Sequence, residues 1–281
     1  MITFKEVIDK ISDIYGEKFL YPEWVEEYTF CTPIYLEGYI QASLKKNKDG
    51  SIYIGVHYDS IGEILNSNWM YPVSEELVSK VAEKYHINYS DDKYYHLSID
   101  SLDEEEIKDR IGRFTTFVSV LASYKDVGYF IYDESLDAEE DYILKYSGKD
   151  IEVEKIKEAI FKDNYRGWIL GAKEIKGGYV FETFLRDENS NPLTFEVKKI
   201  KKKTCFCISD NYKEVRNLRK YKSVMCLYLG RYDSELELFG EQIDEYVASN
   251  VDLYLAGVLS HLVVAQNYEF FCDFDDNLIV R

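Results

Sequence analysis

The chain has 281 residues, 52 of them acidic and 34 basic, for a net charge of −18. That balance argues against broad, nonspecific binding to nucleic acid or an anionic membrane surface, and it suits a basic protein partner or mimicry of a phosphate backbone. Five scattered cysteines, Cys31, Cys205, Cys207, Cys226 and Cys272, argue against a disulfide framework, and an apolar content of 46% argues against wholesale disorder.

The first residues, MITFKEVIDK, lack a signal-peptide core, and the apolar run near Val258–Ala265 is too short to span a bilayer, so a cytoplasmic location is expected. Thr3 and Glu6 read as a capping box, opening a helix over residues 4–17 with Val7, Ile8, Ile11, Ile14 and Tyr15 at helical spacing. A strand is predicted over Glu27–Thr32, ended by Pro33. The stretch 39–58 then organises the first half. Ile40, Ala42 and Leu44 alternate with Gln41, Ser43 and Lys45, and Ile52, Ile54 and Val56 alternate with Tyr53, Gly55 and His57. Asp49-Gly50 between them is a hairpin signal, because glycine takes positive φ without a Cβ clash. The Lys- and Asn-rich connection Lys45–Gly50 is expected in solvent.

Ile61–Leu65 reads as a turn or short helix. Ser74 is the expected cap of a second helix striped with Leu77, Val78, Val81, Ala82 and Tyr85. Short strands are expected at Ile87–Tyr89 and Tyr94–Ile99, around the turn Ser90–Asp92. A third helix starts near Ser101 and is expected to end near Tyr124, with the apolar stripe Ile107, Ile111, Phe114, Val118 and Leu121.

Thr32-Pro33, the Asp49-Gly50 hairpin, the stretch Asp59 to Leu65, Tyr85-His86-Ile87 and the helix Ile107–Leu121 occur in an order that resembles an uncharacterised family of bacterial and phage proteins. The resemblance covers roughly residues 25–124, with Asp59-Ser60-Ile61-Gly62 standing where the family carries Asp-Asp-Gly. It implies a domain boundary near residue 124 and phage- or mobile-element biology.

In the second half, strands are expected at Val127–Tyr132 and Tyr142–Tyr146, then a helix capped by Asp150 that carries Val153, Ile156, Ile160 and Phe161. Further strands are expected at Trp168–Ala172, Gly178–Leu185, Leu193–Lys199 and Cys205–Ile208. A basic helix over Tyr212–Lys220, a strand over Ser223–Leu229, a long helix from Phe239 to Ala265 and closing strands at Tyr268–Phe274 and Leu278–Val280 complete the reading. The expected fold is α+β, with antiparallel sheets, flanking helices and two domains: 1–124 on the 39–58 hairpin, and 125–281 ending in the long helix.

Asp187 followed by Glu196-Val197-Lys198 is the sharpest enzymatic pattern. In nucleases of the restriction-enzyme-like superfamily, an Asp and a Glu-x-Lys on adjacent strands hold Mg²⁺ and activate water, and the i, i+2 spacing puts Glu196 and Lys198 on one strand face. Glu182 is a further candidate acid. The competing reading is a solvated strand face beside a hairpin loop, Glu188–Pro192.

Lys198, Lys199, Lys201, Lys202 and Lys203, followed by Lys213, Arg216, Arg219, Lys220 and Lys222, form a basic island that suits phosphate, an acidic protein surface or a second copy of the chain. The simpler reading is a lysine-rich hairpin end plus a solvated helix face. The cysteines read as buried free thiols. His57, His86, His96 and His261 are far apart and read as structural, and the acidic run Asp133–Asp141 reads as solvated.

The expected function is non-enzymatic protein binding without a cofactor, as a phage or mobile-element inhibitor of a host defence complex, with a host protein partner and a homo-oligomer anticipated. The binding candidates are the basic island and the hairpin's outer face, Tyr53 and His57 with Gln41 and Ser43. The alternatives are a Mg²⁺-dependent nuclease centred on Asp187, Glu196 and Lys198, and an immunity protein neutralising a basic toxin.

Overall fold

The computed structural model describes residues 2–24, 26–35, 39–57, 60–61, 75–90, 93–132, 151–162, 164, 166–200, 203–208, 232–233, 238–239 and 251–278. The fold is α+β, built on antiparallel sheets. Two compact units divide the chain: residues 1–122, 165–170 and 184–193 form unit one, and residues 123–164, 171–183 and 194–281 form unit two.

Unit one begins with α1 (Phe4–Tyr15). Thr3 and Glu6 close the capping box reciprocally: the Thr3 amide donates to Glu6 Oε2 at 2.8 Å, and the Glu6 amide donates to Thr3 Oγ1 at 3.3 Å. A six-stranded sheet follows, in the order β1 (Tyr21–Trp24), β2 (Glu27–Tyr35), β3 (Tyr39–Lys46), β4 (Ile52–His57), β6 (Tyr94–Ser98), β5 (Asn88–Tyr89). The hairpin forms as expected, and Gly50 takes φ 90°. Asp49 Oδ1 accepts from the Ser51 amide at 2.9 Å and from its hydroxyl at 2.7 Å, which pins the tip.

Period two assigns the sheet's faces. The register Tyr28↔Leu44↔Ile54↔Leu97 runs along the side that meets the helices, where Tyr28 touches Phe4 of α1 at a ring distance of 6.0 Å. The second helix, α2 (Glu75–Lys84), buries Leu77, Val78, Val81 and Ala82; its expected cap, Ser74, lies outside the described residues, as do residues 62–65.

The third helix, α3 (Glu104–Tyr132), differs from expectation twice. Side chains from Ile111 to Ser123 are buried without a break, so its core segment has no solvated face. Its buried hydroxyls Thr115 and Thr116 donate back to Ile111 O and Gly112 O at 2.8 and 2.9 Å. It also continues past Tyr124, so residues 127–132 are helix and not the expected strand. A short apolar run carries no period of its own, and the preceding helix extends through it.

Pro33 does not end the strand before it. β2 runs on to Tyr35, and its register with β3 shifts between Cys31 and Tyr35. The amide that proline lacks falls where the ladder is already interrupted.

In unit two, α4 (Val153–Lys162) carries buried Ile156 and Ile160. The second sheet has the order β10 (Lys203–Ile208), β9 (Pro192–Ile200), β8 (Gly178–Arg186), β7 (Ile169–Ile175), and residues 169–170, 184–186 and 192–193 of its strands are counted with unit one. Phe181 stacks on Phe195 at 5.0 Å, Phe206 meets Phe195 at 6.0 Å, and Phe161 of α4 reaches Phe181 at 6.1 Å, so this row of rings is the side that faces α4. The short strands β11 (Tyr232–Asp233) and β12 (Leu238–Phe239) pair with each other.

The last helix, α5 (Val251–Leu278), touches α4. Two corrections fall here: Phe239 lies in a strand and not at the start of the long helix, and residues 268–274 belong to α5 and not to a closing strand. The aromatic run carries strand propensity, but it continues a helix already fixed by Leu255, Leu259 and Leu262, all buried. The expected elements Tyr142–Tyr146, Tyr212–Lys220 and Ser223–Leu229, and the acidic run Asp133–Asp141, lie outside the described residues.

Candidate functional site

The sheet side away from the helices of unit one carries a polar and aromatic set. One row is Glu27↔Lys45↔Tyr53↔Ser98; the next is Thr29↔Ser43↔Gly55↔His96, with His57↔Tyr94 beyond it. Alternation forces these side chains onto one face. Tyr53 meets Tyr94 at 6.0 Å and His96 at 5.5 Å, and His57 meets Tyr94 at 5.1 Å. Lys45 Nζ donates to Tyr94 Oη at 2.6 Å, stands 4.8 Å from the ring centre and pairs with Glu27 Oε1 at 2.9 Å. Burial pulls the Lys45 ammonium down, but the bonds to Tyr94 and Glu27 outweigh it and hold the group above its ordinary value.

The face is less open than the bare alternation implies. Tyr53 is only 8% exposed, because neighbouring rings cover it, while His57, Tyr94, His96 and Ser43 are half-buried and Gln41 is exposed. Tyr94, His96, Lys45 and Glu27 are not among the binding candidates read from the sequence, where His96 reads as structural and Lys45 as part of a solvated connection. The available signal was the alternation Tyr94, His96, Ser98 against Tyr95 and Leu97, which puts the first three on the hairpin's outer side. Chemically, the arrangement offers ring faces, one held ammonium and imidazoles for contact with a protein surface.

The residues of the nuclease pattern have separate environments. Asp187 follows β8 and closes the β8–β9 hairpin: Oδ1 accepts from the amides of Asn189 and Asn191 at 2.9 and 2.8 Å, and Oδ2 accepts from Asn191 Nδ2 at 2.9 Å. Three donors of the turn hold the carboxylate, which acts as a turn cap. Asp187 belongs to unit one, and Glu196 and Lys198 to unit two. Glu196 and Lys198 do share a face of β9 and form an ion pair, opposite Cys207 and Cys205 on β10. Glu196 is 7% exposed, so it is not the solvated residue of the competing reading. Glu182 is half-buried on β8. Among the described residues no group of three or more His, Cys, Asp and Glu is placed to hold a metal ion.

Of the basic island, Lys199 is exposed and its Nζ donates to Ile151 O at 3.0 Å. Lys203 starts β10; Lys201, Lys202, Lys213, Arg216, Arg219, Lys220 and Lys222 lie outside the described residues. Cys31, Cys205 and Cys207 are free thiols, the last two buried. Cys226 lies outside the described residues, as does the side chain of Cys272. Burial pushes the Cys31 thiol above its ordinary value, against the opposing pull of Arg166. His86 follows α2 with φ 55°, and the side chain of His261 lies outside the described residues.

Fold and site together define an α+β protein with a polar, aromatic sheet face, and no described helix is long and apolar enough to cross a membrane. No protein-family model matches the chain, and no curated protein or solved structure compared with it matches.

Proposed function

We propose that the chain is a protein-binding protein that acts without chemistry of its own. The observation that carries this reading is the outer sheet face, where Tyr53, His57, Tyr94 and His96 form a connected aromatic group around the Lys45–Glu27 pair. His57, Tyr94 and His96 are half-buried rings with polar tips, over a buried Tyr53, and amphipathic rings of this kind suit a protein interface. The net charge of −18 adds a preference for a basic partner. The narrower reading is a phage or mobile-element inhibitor of a host defence complex, and it rests on the family resemblance of residues 25–124. An immunity protein against a basic toxin shares the charge argument.

The test is affinity capture of the tagged chain with mass photometry of the eluate. A partner at fixed stoichiometry, or a defined oligomer, supports the reading; a monomer that captures nothing sinks it.

A metal-dependent nuclease is the second reading, because Glu196 and Lys198 share a strand face. Mg²⁺- or Mn²⁺-dependent DNA cleavage that disappears in Glu196→Ala would establish it. Cleavage retained by the variant, or absent in the wild type, removes it.

A further inference from the structure

We infer that the groove between α2 and the β5–β6 hairpin binds a short neutral oligosaccharide. Tyr95 in its lining points to the opposite side of the sheet from Tyr94 and His96, so the groove is distinct from the outer face, and its ligand goes beyond the protein-binding reading.

The groove has a volume of about 460 Å³. That lies inside the range of roughly 300–1,000 Å³ in which small ligands are held. Its floor is apolar, with Ala82, Ile87 and Tyr95 each buried. One wall is Tyr89, which is 54% exposed. The Tyr89 ring is set against that of Tyr95 at 4.7 Å, and Tyr95 against the fully buried Phe117 at 5.6 Å. An open ring backed by two packed rings is a fixed apolar platform, which suits the C–H face of a pyranose.

The opposite wall is polar and periodic. Glu75, Ser79 and Glu83 of α2 are exposed and line the groove at i, i+4 and i+8. Each step is about one turn of helix, and the whole ladder rises about 12 Å. Lys93 adds an ammonium from the turn between β5 and β6. Carboxylates accept hydrogen bonds, the ammonium donates and the Ser79 hydroxyl does both, which matches a ligand rimmed with hydroxyls. A wholly apolar ligand would strip water from these groups and return no hydrogen bond. A strongly charged ligand would meet groups of both signs. An elongated molecule with apolar ring faces and a hydroxyl rim satisfies both walls, and the length of the ladder calls for two or three linked rings.

The probes are maltotriose, cellotriose and triacetylchitotriose, with trigalacturonate as the anionic comparison. Binding to the full chain is read from amide shifts and from saturation transfer to the sugar protons. At least one neutral trisaccharide should receive saturation and shift amides concentrated in residues 75–95, a readout that needs no variant to fold. Trigalacturonate, with a carboxylate on each ring, should bind at least about tenfold more weakly. Tyr89→Ala should lose about fivefold in affinity and Glu83→Ala about tenfold. Both positions are exposed, so neither change opens the core. Glu76→Ala, exposed on the same helix and outside the groove lining, should lose less than about twofold.

No shift with any of the three neutral trisaccharides at millimolar concentration would overturn the proposal. So would shifts centred outside residues 75–95, undiminished binding in Tyr89→Ala and Glu83→Ala, an equal loss in Glu76→Ala, or trigalacturonate binding as tightly as the neutral sugars. None of these readouts needs a protein partner, so failure of the groove and failure of the protein-binding reading are told apart.

Discussion

Asn191 holds Asp187 with two donors at once, its backbone amide on Oδ1 at 2.8 Å and its side-chain amide on Oδ2 at 2.9 Å. The Asn189 amide adds a third bond to the same carboxylate, at 2.9 Å. Asp187 therefore does a turn's work. Asp187→Ala should cost about 1–3 kcal/mol, because the turn amides lose a charged acceptor at a position only 9% exposed. Chemical denaturation of the variant measures this; an unchanged midpoint would show that the cap contributes nothing.

Asp109 and Arg113 form a second charged pair, with Arg113 Nε and Nη2 donating to the two carboxylate oxygens at 2.7 and 2.6 Å. Burial acts to raise Asp109, but the bonds from Arg113 and Ser190 and the nearby Arg110 charge outweigh it, so the carboxyl is held below its ordinary value. A depressed carboxyl contributes stability above its unfolded pKa, about 4, and loses it as pH falls through the lower folded value. Wild type should thus lose more stability than Asp109→Asn between about pH 5 and 2. Parallel unfolding curves for the two proteins over that window would contradict the assignment.

Gly112 sits where α3 meets β8. A methyl group there would overlap Phe184 O and stand 2.5 Å from Arg186 Cγ. In an exposed helix, glycine to alanine gains about 1 kcal/mol. Here overpacking should reverse the sign, with Gly112→Ala losing about 1–3 kcal/mol. A stabilised variant in thermal unfolding would refute the close approach.

The sequence made the 39–58 hairpin, the Thr3–Glu6 cap, the stripe of α2 and the four strands of the second sheet legible, because each has a local period or a turn residue. Four features were missed in whole or in part. The end of α3 was missed because Val127–Tyr132 is rich in strand formers, and propensity is a weak prior against a helix already under way. Pro33 read as a break because the register shift beside it is a property of the pairing with β3. The outer sheet face was half legible: Tyr53 and His57 came from the hairpin, but their contacts Tyr94 and His96 lie some 40 residues on, in a strand that only the sheet order brings alongside. Asp187 and Glu196 matched a catalytic spacing, yet the three turn hydrogen bonds of Asp187 depend on a geometry that spacing does not encode.

The aromatic face makes a prediction of its own. Tyr94 joins three of its members, touching Tyr53, His57 and Lys45. Tyr94→Ala should weaken capture of the partner by about tenfold or more if this face is the centre of the interface. Tyr94→Phe keeps the ring and removes only the hydroxyl that Lys45 engages, so it should retain most of the binding. Equal capture by wild type and Tyr94→Ala would place the interface elsewhere.

The central claim is that the chain works by holding another protein. Mass photometry of the affinity-captured full chain tests it most directly. The predicted result is a discrete species heavier than the 33.1 kDa monomer, formed at fixed stoichiometry and depleted in Tyr94→Ala. A single 33.1 kDa species under all conditions would contradict it.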